Sequence, residues 1–358
     1  MASQLKDAYG FALLATGEDQ RLLQASWAAA KKRADSWSAV SKQLRSTSSS
    51  CSDTASGPDQ RRSLALKPLV RRGIPFELRP TQWFQLSGAA ARQAAAGSGY
   101  YDKLSGINGL PVNMLLQVSE DLSPGIFQFR IHPLFKKQEG MDAVRRILCG
   151  YLQHNPAGYF RGLAHIAGFL LIVMGLDSEQ QAFWTLAALL EDKLFPYCSG
   201  QGAYGIKVEL RVLDTLVAKK LPKVASHLAK LETNSTAVTP SWLSSLFTTT
   251  LPAEVTARIF DCLLLEGSKV LQRVGLALLK HYETSICAAS HPAQLRKVLD
   301  SRAARLYDAE SLLNTAFKGV GAMPTAVIAG VRSAAAAAVD AQMEEQRRRL
   351  ELIVCRTH

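Results

Sequence analysis

Few stretches of this 358-residue chain bring reactive residue types into close spacing. The first is Gly158-Tyr159-Phe160-Arg161-Gly162, where two glycines bracket an aromatic pair and an arginine. It runs directly into Leu163–Leu176, which reads as a helix apolar on both faces and therefore central to a core. Glycine admits left-handed backbone that other residues avoid. The pattern alone favours a tight interhelical turn whose arginine points to water. The sharper alternative is a turn that presents one guanidinium to a partner against a rigid backing. The second stretch runs from Val118 through Asp121-Leu122 to a Ser123-Pro124-Gly125 stop. The irregular, aromatic-rich segment Ile126 to Phe135 follows it, holding Phe127, Arg130 and His132. His165, on the apolar helix, reads as a satisfied core histidine, and Glu191-Asp192 beside Lys193 as solvated charge.

Self-contained catalysis has no footing in the sequence. There is no GxxxxGK[ST] or GxGxxG phosphate cradle, no HExxH and no GxSxG. The six cysteines are widely spaced, with no CxxC pair and no zinc-like Cys/His cluster, which fits a reduced, cytosolic compartment. Cys149, Cys262 and Cys287 lie in apolar helical contexts and read as small core residues. The net charge of +12 points to an anionic partner. The basic residues are scattered rather than interleaved with aromatics, however, so nucleic acid is not expected. The start lacks the basic-then-apolar pattern of a secretory signal, and the longest apolar run is too short for a membrane span.

The elements that must position these residues are helices. Apolar residues recur at helical spacing in Gly140–Gln153, Gln180–Phe195 and Lys269–Tyr282, and no alternating strand pattern of any length occurs. The fold class is therefore all-α, a bundle of about 13–16 helices without significant sheet. Residues 1–45 read as a helical extension with Trp27 and Trp37 docked on the main body. Residues 46–63 read as a flexible Ser-rich linker, residues 64–318 as the principal domain, and 319–358 as an Ala-rich, charged C-terminal helix.

Several stretches, in order, resemble the TBC domain, the fold of activators of Rab GTPases. They are Arg72-Gly73-Ile74-Pro75…Arg79…Trp83, Val118…Asp121-Leu122, His132-Pro133…Phe135 and His154-Asn155-Pro156. Gly158-Tyr159…Gly162, Ala182-Phe183-Trp184, Trp242…Leu246-Phe247 and Asp261…Glu266-Gly267 complete the set. The resemblance covers about residues 66–318, and Asp7-Ala8-Tyr9-Gly10-Phe11 resembles the growth-hormone-regulated TBC subgroup. It implies a TBC-like helical bundle that inserts two side chains into a Rab-family small GTPase. An arginine from an IxxDxxR motif neutralises charge in phosphoryl transfer, and a glutamine from YxQG orients the attacking water. An arginine finger supplied in trans is worth about 10³–10⁵ in rate.

This chain departs from the pattern at both positions. The arginine slot falls on Pro124 when counted from Asp121 and on Phe127 when counted back from His132; the nearest arginine is Arg130. Arg161 occupies the glutamine slot. A guanidinium carries donors only, so it cannot accept the water proton as a glutamine carbonyl does. Two readings follow. The chain binds a GTPase with weak or no activation, through Asp121, Gly158, Tyr159, Phe160 and Gly162; or Arg161 or Arg130 serves as a single arginine finger. The resemblance further implies no cofactor of the chain's own, since GTP and magnesium would belong to the partner. It also implies a monomer in the cytoplasm, recruited to endomembranes peripherally through that partner.

Overall fold

The computed structural model describes residues 6–12, scattered positions between 17 and 37, and 58–357 apart from 107–108, 156–158 and 195–203. The principal helices are α1 (Pro58–Arg72), α2 (Arg79–Leu86), α3 (Val112–Asp121), α4 (Gln138–His154), α5 (Leu163–Met174) and α6 (Glu179–Ala188). They continue with α7 (Tyr204–Lys220), α8 (Pro240–Ser244), α9 (Ala253–Glu266), α10 (Lys269–His281) and α11 (Thr325–Thr357). Among the described residues there is no strand, only an isolated bridge between Lys6 and Ala12. The all-α expectation therefore holds, but the helices outnumber it. Single-turn helices such as Pro133–Lys136, Ser235–Val238 and Glu283–Cys287 are too short for hydrophobic periodicity to show.

Helix α5 is the centre. Every residue but the half-buried Ile172 is buried, and α2, α4 and α6 pack around it. A second buried axis is α9, which contacts α1, α2 and α10. The two axes meet in an aromatic stack, with Phe260 of α9 5.2 Å from Phe169 of α5 and 5.5 Å from Trp83 of α2.

The stretch Arg72–Trp83 is explained by one carboxylate. Asp261 on α9 is fully buried and takes hydrogen bonds from the Ile74 N–H (2.9 Å), Arg79 Nε and Nη2 (3.1 Å each) and Trp83 Nε1 (2.8 Å). Gly73 permits the turn that brings Ile74 there. Its φ is +106°, and a Cβ at this position would sit 2.4 Å from Arg258 Nε. Trp37 is fully buried and its indole N–H bonds the Gly73 carbonyl at 2.9 Å. Trp27 lies outside the described residues.

Four sequence-level expectations change. Residues 6–12 form a turn rather than a helix, because the Asp7 carboxylate captures the N–H groups of Tyr9 and Phe11. Helix α1 begins at Pro58, inside the stretch read as linker, with the proline in the first turn that its fixed φ suits. Cys287 is exposed, whereas Cys149 and Cys262 are buried. Glu191 is not solvated charge but the centre of a hydrogen-bond cluster described below. At the other end, α11 lies along α7. The fully buried Glu209 of α7 ties it there, bonded to Arg332 of α11 and to Gln272 of α10. No described helix is long and apolar enough to cross a membrane.

Candidate functional site

Tyr159 to Gly162 sit where α5 begins. Tyr159 is half-buried, Phe160 and Gly162 are buried, and Arg161 is exposed; Gly158 lies outside the described residues. Gly162 takes φ +113°, and a Cβ there would lie 2.3 Å from the Ser244 carbonyl oxygen. Ser244 ends α8, and just beyond it the buried Leu246 and Phe247 take φ values of 50° and 65°. Such backbone persists only where the surroundings over-determine it. Here the Phe247 N–H bonds the Trp242 carbonyl at 2.8 Å and both side chains are packed in the core.

The approach to the turn from α4 is held by Glu191. A π-helical turn, Leu189–Lys193, follows α6 and delivers this carboxylate. It accepts from Arg92 Nη1 (2.6 Å) and Asn155 Nδ2 (3.2 Å), and His154 Nε2 stands 3.5 Å away. Burial alone would raise the Glu191 carboxyl; the bonds from His154, Arg92 and Asn155 outweigh it and hold the group below the usual carboxylate range.

Arg161 faces the end of α3. Its Nε stands 3.7 Å from Asp121 Oδ1, and its side chain is 79 % exposed while that of Asp121 is 5 % exposed. The other Asp121 carboxylate oxygen is buried, as is the Tyr159 hydroxyl, which favours the charged form of this carboxyl. Burial lifts the Asp121 carboxyl above its usual range; Tyr159 and Arg161 only partly offset this. Arg130 is exposed too and donates from Nη1 to the Leu122 carbonyl at 3.2 Å. Both candidate arginines therefore stand at the carboxyl end of one helix, where backbone carbonyls favour cations, Arg130 by a hydrogen bond and Arg161 by a looser charge contact.

The two registers for the arginine slot separate cleanly. Pro124 is exposed on the loop after α3. Phe127 is buried and seated on a notch in α5: a Cβ at Gly168 would meet its ring at 2.8 Å. Phe129, Phe135 and His165 pack around that ring. Phe127 is thus a core residue and cannot be presented to a partner. His165 is the satisfied core histidine expected; it accepts the Gln128 N–H at 3.3 Å and bonds the Ile126 backbone, and burial lowers its pKa.

A sequence profile of the Rab-GTPase-TBC domain matches residues 76–287. The chain belongs to the Rab-GTPase-TBC domain family. Growth hormone-regulated TBC protein 1 of Xenopus laevis is 37 % identical over 235 residues, which is 64 % of this chain and 66 % of that protein. The human protein of that name is 32 % identical over 289 residues, 78 % of this chain and 83 % of the relative. Among solved structures, the flagellar RabGAP TBC domain of Chlamydomonas superposes with a TM-score of 0.74 at 28 % identity, covering 89 % of this chain and all of that one. The Ypt/Rab-GAP domain of Gyp1p gives a TM-score of 0.59 at 19 % identity over 72 % of this chain and 92 % of the other, a likeness of fold.

Within this TBC domain the structure brings Asp121, Arg130, Tyr159 and Arg161 together and places Pro124 on the adjoining loop. Sequence reasoning missed Ser244, Gly168, Arg92 and Glu191, which shape the two presenting segments. Glu191 could have been found, because His154-Asn155 needs an acceptor and Glu191 is one of few acidic residues at the end of a buried helix. Among the described residues no group of three acidic, histidine or cysteine side chains could hold a metal ion.

Proposed function

We propose that this TBC domain regulates a Rab-family GTPase in membrane trafficking by binding it, with weak or no acceleration of GTP hydrolysis. What supports this reading is the sequence at the two slots that the family resemblance picks out, on a scaffold of the TBC kind. Arg161, a donor-only group facing Asp121, stands at the glutamine slot, and the arginine slot counts to Pro124, exposed on its loop, or to the buried Phe127, with arginine at neither. Neither supplies what phosphoryl transfer requires: a cation at the developing charge together with an acceptor for the attacking water. Gly162, Tyr159 and the buried helix behind them still build the presenting turn. In this reading GTP and its magnesium come with the GTPase. The chain acts as a monomer in the cytoplasm and reaches endomembranes through its partner.

One observation favours a second reading. Arg161 is 79 % exposed and 3.7 Å from its partner carboxylate, so leaving Asp121 costs little. It, or Arg130, could serve as a single arginine finger while the GTPase keeps its own water-orienting glutamine. The test measures binding and GTP hydrolysis by a panel of Rab GTPases with wild type, Arg161→Ala and Arg130→Ala. Binding without stimulation is the expected result. Stimulation abolished by either substitution replaces the first reading with the second. No binding across the panel removes both and leaves a helical scaffold without a GTPase partner.

A further inference from the structure

The site described above does not use Asp7-Ala8-Tyr9-Gly10-Phe11, yet this segment grips it from behind. The Asp7 carboxylate accepts the N–H groups of Tyr9 (3.0 Å) and Phe11 (2.9 Å), and the Gly10 N–H bonds the Asp7 carbonyl at 3.1 Å. The chain is thereby folded into a compact strap. One face of the strap is fixed to the scaffold. The Tyr9 hydroxyl donates to Glu254 Oε2 at 2.8 Å and accepts from Arg79, and its ring meets Phe76 edge-on at 5.1 Å.

The other face holds the loop that carries Pro124 and Arg130. His132 Nε2–H donates to the Tyr9 carbonyl at 2.6 Å, and the Phe11 ring lies 4.7 Å from His132 and 5.7 Å from Phe129. His132 Nδ1 in turn accepts the Leu134 N–H and caps the helix Pro133–Lys136, so both imidazole nitrogens are committed. Gly10 has φ +93°, and a Cβ there would press on His132 Nε2 at 3.2 Å. The loop is consequently clamped on two sides: by α5 through Phe127 and Gln128, and by the strap through Phe129 and His132.

We propose that Tyr9, Gly10 and Phe11 are positioning residues for the GTPase-facing loop 123–132. The strap locks the loop to the Arg79–Glu254 scaffold and so sets where Pro124, Arg130 and the 75 % exposed Ile131 stand. The inference rests on the GTPase-binding reading only for its consequence; the clamping itself is measurable without any partner. Pre-ordering a binding loop reduces the entropy cost of association, so loosening it weakens binding without removing a contact residue.

The test uses the full chain and two independent variants, Phe11→Ala and Gly10→Ala, with Phe11→Leu as the conservative control. Amide hydrogen exchange is read over 123–132, with α5 and α9 as internal references, and the affinity for a bound Rab is read alongside. Exchange in the loop is expected to rise about tenfold or more in both alanine variants with the reference helices unchanged, and Rab affinity to fall about tenfold; Phe11→Leu recovers most of each. Unchanged loop exchange in both variants overturns the proposal. So does a rise shared equally by α5 and α9, which would make the strap a general stabiliser. Loosening of the loop in a chain whose wild type binds no Rab keeps the clamp and removes only the GTPase reading.

Discussion

Two arginine–aspartate pairs in this molecule use the same chemistry to opposite ends. Arg79 and Asp261 are fully buried and joined by two bonds of 3.1 Å, with Glu254, Trp83 and the Ile74 N–H filling the remaining valences. Arg161 and Asp121 meet at a single 3.7 Å contact, with the guanidinium in water and the carboxylate buried. In the first pair each group is desolvated and must be matched, so it fixes three segments of chain at once. In the second only the carboxylate is desolvated, and the arginine keeps its mobility and most of its donors. The same residue pairing thus cements the fold at one place and leaves a group available to a partner at the other.

The comparison breaks first at Arg79. Arg79→Ala leaves Asp261 buried without its counter-charge and is expected to cost about 3–5 kcal/mol in urea unfolding; a loss under about 1 kcal/mol would show that the buried pair does not organise the fold. Next comes Gly162→Ala, which adds a Cβ 2.3 Å from the Ser244 carbonyl oxygen in left-handed backbone. It is expected to cost about 2–4 kcal/mol and to lower the thermal midpoint accordingly. If it is silent, Arg161 does not stand on a rigid turn.

Asp121→Asn sharpens the contrast through pH. Burial raises the folded-state pKa of Asp121 above its unfolded value. Ionised Asp121 therefore costs stability above that folded pKa, and the cost is relieved as pH falls through it. The variant should match or slightly exceed wild type at neutral pH, by less than about 1 kcal/mol, and lose that advantage toward pH 4. An advantage that grows on acidification would reverse the assigned sign. The smallest effect is expected at Arg161: Arg161→Ala should change unfolding free energy by less than about 0.5 kcal/mol, because the guanidinium stays in water and meets Asp121 only at 3.7 Å. A larger change would place Arg161 with Arg79 as a structural group.

The helical fold was legible because its signal is local. Leu163–Met174 is apolar on every face, and α5 is central for that reason. The presenting turn was legible too, since the glycine at 162 advertises a backbone that another residue would strain. Phe127 was not: its burial depends on the missing side chain at Gly168, forty-one positions away, and no spacing within the loop reveals that notch. Counting from either end of the loop therefore gives two registers, and the packing shows only that one of them falls on an exposed residue and the other on a buried one. The strap was misread as helix for a related reason. Its geometry comes from one carboxylate bonding its own backbone and from a histidine far along the chain. Helix counts fell short because single-turn elements bury too few residues to leave a period.

The Glu209–Arg332 bond has a consequence for the order of events during synthesis. Glu209 is buried at the junction of α7, α10 and α11, and its guanidinium partner is made 123 residues later. At about 5–20 residues per second a ribosome needs roughly 6–25 s to cover that distance. Through that interval the nascent core holds a carboxylate it cannot fully enclose, with Gln272 joining it part-way. Completion of the fold is therefore timed by the arrival of α11. A pause placed between the codons for residues 272 and 332 should lengthen the life of an open, chaperone-accessible intermediate.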